Sequence, residues 1–407
     1  MKTVLIISEY NPFHKGHKYQ IDDIRKNFGK DTAIIALMSG SYTQRGDVAV
    51  MDKFLRAKSA VLEGVNLALL LPFPYSCSSA EFFATAGISI ANSLGIVDVL
   101  AFGSECGDVN KIVTVAKNML SEKFLTAFEK EKNGENGQTI GYPTLCEKVY
   151  RDAFPSDTLI GFSSPNNILA IEYVKALLRT NSRILPYTTK RQGAGYNDEE
   201  IVDSEFQSAT AIRNLLDSSV NSALDFLPSL SKSVLLEALN NNSAPCKTDR
   251  LSTAILSFFR LNSPKDSCDI HDADSGLYNR LIAASIKATD TSTLVKLAST
   301  KKYTTARIKR AIWNSFFGVT SSDVRTPPHY TQVLAMDSIG QALLKRIKKT
   351  TAFPIVTKPS SVDGLDNVAL RQKQLSDSSD FIFELSKPSS ASADTVLKAK
   401  PFIKSGE

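Results

Sequence analysis

Cysteine is scarce and unpatterned in this chain of 407 residues. Its five thiols, Cys77, Cys106, Cys146, Cys246 and Cys268, are odd in number and include no Cys-x-x-Cys pair. A disulfide framework and a zinc ribbon are therefore not expected, and reduced thiols in a cytoplasmic protein are. Long apolar runs are missing too. None approaches the roughly 18 residues that a membrane-spanning helix needs. The block Val4-Leu-Ile-Ile7 is too short for a signal peptide and is soon followed by an acid. Cytoplasmic localisation with no membrane partner follows as the expectation. No internal repeat, serine–histidine–acid triad or catalytic cysteine is evident. What remains is an ordinary globular composition, 43% hydrophobic and 22% charged, with length enough for two or three domains. It carries no sign of an oligomeric state.

Charge is unevenly spread. Residues 221–407 hold 25 Lys/Arg against 17 Asp/Glu, whereas the first 220 are slightly acidic. Most of the basic excess sits in two runs. Lys301, Lys302, Arg307, Lys309 and Arg310 form one; Lys345, Arg346, Lys348 and Lys349 form the other. Such concentrations favour a polyanion, because each neutralised phosphate releases condensed counterions. A solvated helix face is the structural alternative.

The first 190 residues alternate strand and helix patterns. Strands are predicted over Val4–Ser8, Thr32–Met38, Leu67–Leu71, Val97–Phe102 and Arg183–Tyr187. Helices are predicted over His17–Phe28, Phe54–Leu62, Ser79–Leu94 and Asn167–Arg179, with a loop at Gly134–Gly141. This is an α/β pattern with a parallel sheet, whose ligands sit beyond the carboxyl ends of the strands. After about residue 210 helical periodicity takes over, as in Ser231–Leu239, Thr253–Phe259, Gly276–Lys287 and Arg307–Phe317. The resulting division is a first domain over 1–215 and a mostly helical basic domain over 216–407. Residues 359–393, punctuated by Ser and Pro, read as looser and partly disordered.

Chemistry concentrates where the first strand ends. His14-Lys-Gly-His17 holds two of the four histidines. At a strand-to-helix junction, two imidazoles and the first amides of a helix supply donors to a nucleotide's phosphates. Gly16 would let the backbone approach that nucleotide. Nucleotidyl transfer, with attack on an α-phosphate and departure of pyrophosphate, is the chemistry this suggests. His271 and His329 lie in polar, turn-like contexts and read as structural or surface residues. Asp269-Ile-His-Asp-Ala-Asp274 reads as an exposed acidic turn in preference to a metal site.

Ser8-Glu-Tyr-Asn-Pro-Phe-His-Lys-Gly-His17 resembles the opening of the HIGH-motif nucleotidyltransferases, and more narrowly that of the bacterial tRNA(Met) cytidine acetate ligase family. Further matching segments are Met38–Gly46, Asp52-Lys53, Ser79–Phe83, Phe102–Asp108, Ser164–Leu169, Lys190–Tyr196 and Ser208–Arg213. Weaker matches continue at Arg307–Arg310 and Val333–Met336. The resemblance implies a Rossmann-like domain followed by a mostly α-helical C-terminal domain. It also implies a reaction in two steps. Acetate attacks the α-phosphate of ATP to give acetyl-adenylate and pyrophosphate. The exocyclic amine of the wobble cytidine of elongator tRNA(Met) then takes the acetyl group, forming N4-acetylcytidine and AMP.

On this reading Ile7, Ser8, Glu9, Tyr10, Asn11, Pro12, Phe13, His14, Lys15, Gly16, His17, Lys18, Tyr19 and Gln20 form the main ATP-binding segment. Gly103 leaves room for adenine or ribose, and Asn166 reads a base edge or hydroxyl, while Asn167 caps a helix. Arg191 clamps phosphates, and Ser208 and Thr210 cap a helix or hold the β- and γ-phosphates. His14 and His17 are catalytic as electrostatic stabilisers, with Arg45 and Lys53 as candidates to steady acetate, adenylate or RNA. Asp52 either orients Lys53 or begins a helix. Mg2+ is expected, held mainly by phosphates and water. No protein metal site is expected.

Relatives usually carry an Asp and a Glu in the segment that here reads Gly64–Pro72, where Asn66 and Leu70 stand instead. Either substrate positioning differs or the strand has simply diverged. Two other functions stay open: a nucleotidyltransferase making a small nucleotide cofactor, and an RNA-binding protein with a regulatory nucleotide site.

Overall fold

The computed structural model describes residues 1–134, 140–157, 162, 164–192, 206–263 and 269–405. Cys268, residues 135–139 of the predicted loop and residues 193–196 of one motif lie outside them. Five parallel strands form the main sheet: β1 (Thr3–Ser8), β2 (Ala33–Ser39), β3 (Leu67–Leu71), β4 (Val99–Ser104) and β5 (Leu185–Lys190). Their order is β5-β4-β1-β2-β3, so the chain reverses direction across the sheet between β1 and β4. Strands buried on both faces read as unbroken apolar runs, and Val4-Leu-Ile-Ile7 and Leu67–Leu71 are of this kind. Helices Lys15–Phe28, Lys53–Leu62, Ala80–Leu94 and Pro165–Arg179 cover the faces. Their packing is close. A methyl group built on Gly87 would lie 2.5 Å from Ile7 Cδ1.

The sheet also draws on the distal part of the chain, which the sequence reading took as helical. β6 (Thr331–Met336) pairs antiparallel with β3, and β7 (Ile355–Val356) and β8 (Phe402–Ile403) pair with β6. Helix Ser338–Thr350 contributes Leu343, Leu344 and Ile347 to the core that also holds Leu5, Leu37 and Leu69. β6 escaped because one short strand amid long helical stretches has no periodic neighbour to announce it. The division at residue 215 remains a proposal, in which β6 and helix Ser338–Thr350 cross back onto the first unit.

The Ser- and Pro-rich stretch is a second correction. Helix Asn367–Phe383 runs through it, with Leu375, Ser376, Ser379, Asp380 and Phe383 buried. Its buried face is partly polar. Ser376 Oγ donates to Phe73 O and Ser379 Oγ to Ser376 O. Serines satisfied against neighbouring backbone produce a buried helix face that looks like a linker in sequence.

Helices Ser252–Leu261, Ser275–Lys287, Thr291–Ala298 and Thr305–Phe316 pack around Trp313 in a separate core. Tyr42, Val48 and Phe73, from loops beyond the sheet, belong to that core as well. The helical body is thus docked on the sheet's carboxyl-end loops. None of the described helices is long and apolar enough to cross a membrane.

Candidate active site

A cavity of about 480 Å³ opens at the carboxyl ends of β1, β4 and β5. It is lined by Ile7, Ser8, Glu9, Tyr10, Asn11, His14, Gly16, His17, Tyr19 and Gln20 from the first motif. Arg45, Gly103, Asn166, Arg191 and Thr210 join them from five later segments. The structure therefore gathers most of the expected site into one place. Pro12, Phe13, Lys15 and Lys18 from the same segment do not line it. Phe13 is a core residue, Lys15 N–H bonds Phe226 O, and Lys18 pairs with Asp22 on the surface.

The histidine pair is held by the helix that it starts. His14 is the N-cap of helix Lys15–Phe28, and its Nδ1 accepts the Gly16 N–H at 3.0 Å. His17 Nδ1 in turn accepts the His14 N–H at 3.2 Å, completing a capping box. The rings stack with centroids 3.8 Å apart, and Tyr10 and Phe13 pack on His17. Because each Nδ1 accepts a backbone N–H, a neutral ring carries its proton on Nε2. Burial keeps both rings neutral. It lowers His14 to about 3, assisted by the charges of Arg191 and Arg213, and pushes His17 well below its ordinary value too. The result is two fixed, uncharged Nε2–H donors facing the cavity.

Gly16 lines the cavity and has a second role. A Cβ there would meet His14 Cε1 at 2.9 Å, so the missing side chain also makes room for the imidazole. Gly103 likewise adjoins the stem of Arg191, with Cγ 3.4 Å from a built Cβ.

Cations ring the imidazoles. Arg213, the last residue of the Ser208–Arg213 segment, also lines the cavity, donating to Asn11 O at 2.8 Å and Thr210 Oγ1 at 3.1 Å. Its spacing of three from Thr210 puts both on one helix face. Ser208 caps helix Ala209–Ser218, its Oγ accepting the Ala211 N–H, and does not line the cavity. Asn166 reaches the cavity while donating to Glu105 Oε1 at 2.7 Å. Asn167 is not a cap. Ser164 holds that position, and Asn167 Oδ1 accepts the N–H groups of Glu105 and Cys106, fixing the turn after β4.

Lys53 is the clearest departure among the candidates. It is buried away from the cavity, donating to Asp380 Oδ2 at 2.6 Å and Gln332 Oε1 at 3.2 Å. Asp52 caps helix Lys53–Leu62 through the N–H groups of Phe54 and Leu55. Asn66 and Leu70 also lie off the site. Asn66, at the amino end of β3, accepts the Ile34 N–H and donates to Asp337, while Leu70 is core. The diverged segment is thus structural.

The basic runs separate. Thr305, Ala306 and Lys309 line the cavity's far wall, with Lys309 Nζ 2.5 Å from Asp47. Arg307 pairs with Asp274, and Arg310 is buried against Asp272. Asp272 is therefore a largely buried partner, whereas Asp269 and Asp274 stay exposed on the turn as expected. Among the described residues no group of three or more His, Cys, Asp or Glu side chains could hold a metal. Lys301 and Lys302 are exposed, a few residues before Thr305 of the cavity wall. Lys345, Arg346, Lys348 and Lys349 are exposed on a helix whose end touches Gly95, at the opposite edge of the sheet. Gln44 and Gln192 line the cavity from within the matching segments Met38–Gly46 and Lys190–Tyr196, and Asp47, Thr189 and Gln207 line it from just outside such segments, where no motif marks them.

A parallel sheet with an imidazole pair and converging arginines at its carboxyl edge defines a nucleotidyltransferase of the HIGH class. A family model described as HIGH Nucleotidyl Transferase matches residues 1–394. Two similar relatives are named tRNA(Met) cytidine acetate ligase. That of Acetivibrio thermocellus is 34% identical over 389 residues, covering 92% of each chain, and that of Clostridium novyi is 36% identical over 366, covering 88% of this chain and 90% of its own. Crystal structures of Thermotoga maritima TmcAL superpose over 100% of both chains at 27% identity. The TM-score is 0.89 for the form bound with alpha-thio ATP and 0.92 for the apo form. The chain belongs to the tRNA(Met) cytidine acetate ligase family of HIGH nucleotidyltransferases.

Proposed function

We propose that this chain is an ATP-dependent acetate ligase of the cytoplasm that acetylates N4 of the wobble cytidine of elongator tRNA(Met). The observation that carries the reading is the pair of neutral imidazoles, with Nε2–H fixed by backbone bonds to Nδ1, between Arg191 and Arg213. A carboxylate oxygen of acetate attacks the α-phosphorus of ATP, and pyrophosphate leaves. Negative charge grows on non-bridging and leaving oxygens, and pre-set donors favour that state without reorganising. Arg191 and Arg213 neutralise the polyphosphate, and Thr210 and the first amides of helix Ala209–Ser218 complete the cradle. Because the imidazoles are neutral, they stabilise through donation and not as acids.

Mg2+ would enter with the triphosphate, shielding its charge. The cavity's carboxylates are Glu9, bonded to Gln44 N–H, and Asp47, paired with Lys309, so phosphate oxygens and water would be the ligands. For RNA, the exposed Lys301 and Lys302, a few residues before Thr305 of the cavity wall, are the primary contacts, since Arg307, Lys309 and Arg310 have carboxylate partners. Lys345–Lys349, across the sheet, contribute general attraction.

The test incubates the protein with ATP, labelled acetate and either tRNA or no RNA. Label entering tRNA only with ATP present is expected. Pyrophosphate release with a nucleotide-like cofactor precursor would favour a small-molecule nucleotidyltransferase. RNA binding without turnover would favour a regulatory nucleotide site.

A further inference from the structure

We infer that Glu9 is the general base of the transfer step, taking the proton from the cytidine amine as that nitrogen attacks the acetyl group. The inference rests on the acetyl-transfer reading above. In that step a C–N bond forms between the amine and the acetyl carbonyl carbon. The C–O bond to AMP breaks, its electron pair leaving on the phosphate oxygen, and one proton must depart the nitrogen.

The cavity contains few groups that could receive that proton. His14 and His17 cannot, because Nδ1 of each accepts a backbone N–H and Nε2 carries the ring proton. Asp47 is engaged by Lys309 at 2.5 Å. The other ionisable residues lining the cavity, among those described, are arginines, lysines and tyrosines. Glu9 is the remaining carboxylate.

Its placement suits the task. Glu9 directly follows β1 on the cavity wall, between the imidazoles and the Thr43–Asp47 loop. The Gln44 N–H holds Oε1 at 2.9 Å, which orients the carboxylate and leaves Oε2 to receive a proton. Its backbone carbonyl is anchored by the buried Arg56 guanidinium. The charge of Arg213 acts on both Glu9 and His14, so base and phosphate donors share one neighbourhood.

Three charged groups from surrounding elements act on the carboxylate. Arg213 and Arg56 stabilise its charged form and Asp47 opposes it, while burial outweighs them and raises the carboxyl above its ordinary value. A base closer in pKa to the working pH transfers protons more effectively.

The test separates the half-reactions in wild type, Glu9→Gln and Glu9→Asp. Acetate-dependent ATP–pyrophosphate exchange reports adenylation. Single-turnover transfer from enzyme-bound acetyl-adenylate to tRNA reports the second step. Glu9→Gln preserves shape and an acceptor for the Gln44 N–H. It should slow transfer by about 100-fold or more, the usual contribution of a positioned base, and exchange by no more than about tenfold. The wild-type transfer rate should fall on the acidic side of its pH profile, and Glu9→Gln should flatten that limb. Glu9→Asp should keep the limb at a reduced rate. Equal losses in both half-reactions, an acidic limb that persists in Glu9→Gln, or a limb abolished by Asp47→Asn would overturn the inference. Wild-type protein that forms acetyl-adenylate but never acetylates tRNA would instead overturn the functional reading, and the inference with it.

Discussion

At His14 and His17 a local folding device doubles as a catalytic one. The same Nδ1 atoms that cap helix Lys15–Phe28 set the tautomer that points Nε2–H at substrate. Removing one fixed donor of this type costs about 100- to 1,000-fold in rate. His17→Ala should therefore lose adenylation by that order while RNA affinity, measured by filter binding, changes little. Because His14 lies near 3 and His17 is also depressed, the wild-type adenylation rate should show no histidine inflection near 6.5. Stability carries the opposite signature. A ring whose folded pKa is lowered binds its proton more readily in the unfolded chain. Its stabilising contribution is complete above the ordinary value of 6.5 and is lost as pH falls toward about 3. Urea midpoints of wild type should drop between pH 7.5 and pH 5 more steeply than those of His14→Gln. Parallel pH curves for the two proteins would refute this. Asn66 offers a third residue-level test. Asn66→Asp would set a carboxylate against Asp337 Oδ2, where Nδ2 now donates at 2.8 Å. A loss of about 1–3 kcal/mol in unfolding free energy is expected, with ATP–pyrophosphate exchange preserved at a saturating temperature margin.

Among the elements, the Gln44-Arg-Gly46 loop and helix Thr305–Phe316 meet with unusual closeness. Gly46 has a φ of +82°, and a Cβ there would lie 2.7 Å from Lys309 Cβ and 2.8 Å from Arg310 N. Its carbonyl accepts the Trp313 indole N–H at 2.8 Å. Gly46→Ala must therefore strain the backbone and push the helix away from Arg45 and Asp47 as well. Gly364 has a φ of +73° with nothing within 4 Å, so Gly364→Ala reports the backbone cost alone, about 1–2 kcal/mol. Thermal unfolding should show a larger loss for Gly46→Ala, accompanied by weaker ATP binding in that variant only. Equal losses would mean that the helix yields freely. This junction shows what could be read from sequence. The Gly46 motif and the basic helix were both legible, since glycine and charge runs are local signals. Their contact was not, because ion pairs such as Lys309–Asp47 join residues 262 apart in sequence and leave no periodic trace. For the same reason the strand-to-helix site around His14 was legible and the burial of Lys53 was not. A lysine beside an N-cap looks alike whether it faces ligand or a carboxylate from the far end of the chain.

For the whole molecule, the buried Lys53–Asp380 pair links the sheet unit to the distal part of the chain. Both side chains are about 5% exposed, and Ser41 Oγ and Gln332 add bonds to the same centre. The four residues come from the loop after β2, helix Lys53–Leu62, β6 and helix Asn367–Phe383. Folding of the nucleotide site therefore depends on residues more than 300 positions downstream. Breaking a buried pair leaves one charge without compensation and costs roughly 3–5 kcal/mol, while replacing both partners with apolar groups is often neutral. Asp380→Leu alone should lower the unfolding free energy by that amount and weaken ATP binding, as the loop carrying Gln44, Arg45 and Asp47 loses its anchor. Adding Lys53→Met should restore most of both. Recovery of stability without recovery of ATP affinity would show that charge at this centre, and not merely its packing, sets the loop. If Asp380→Leu proves harmless on both counts, the distal helix is a passenger and the sheet unit organises its own site.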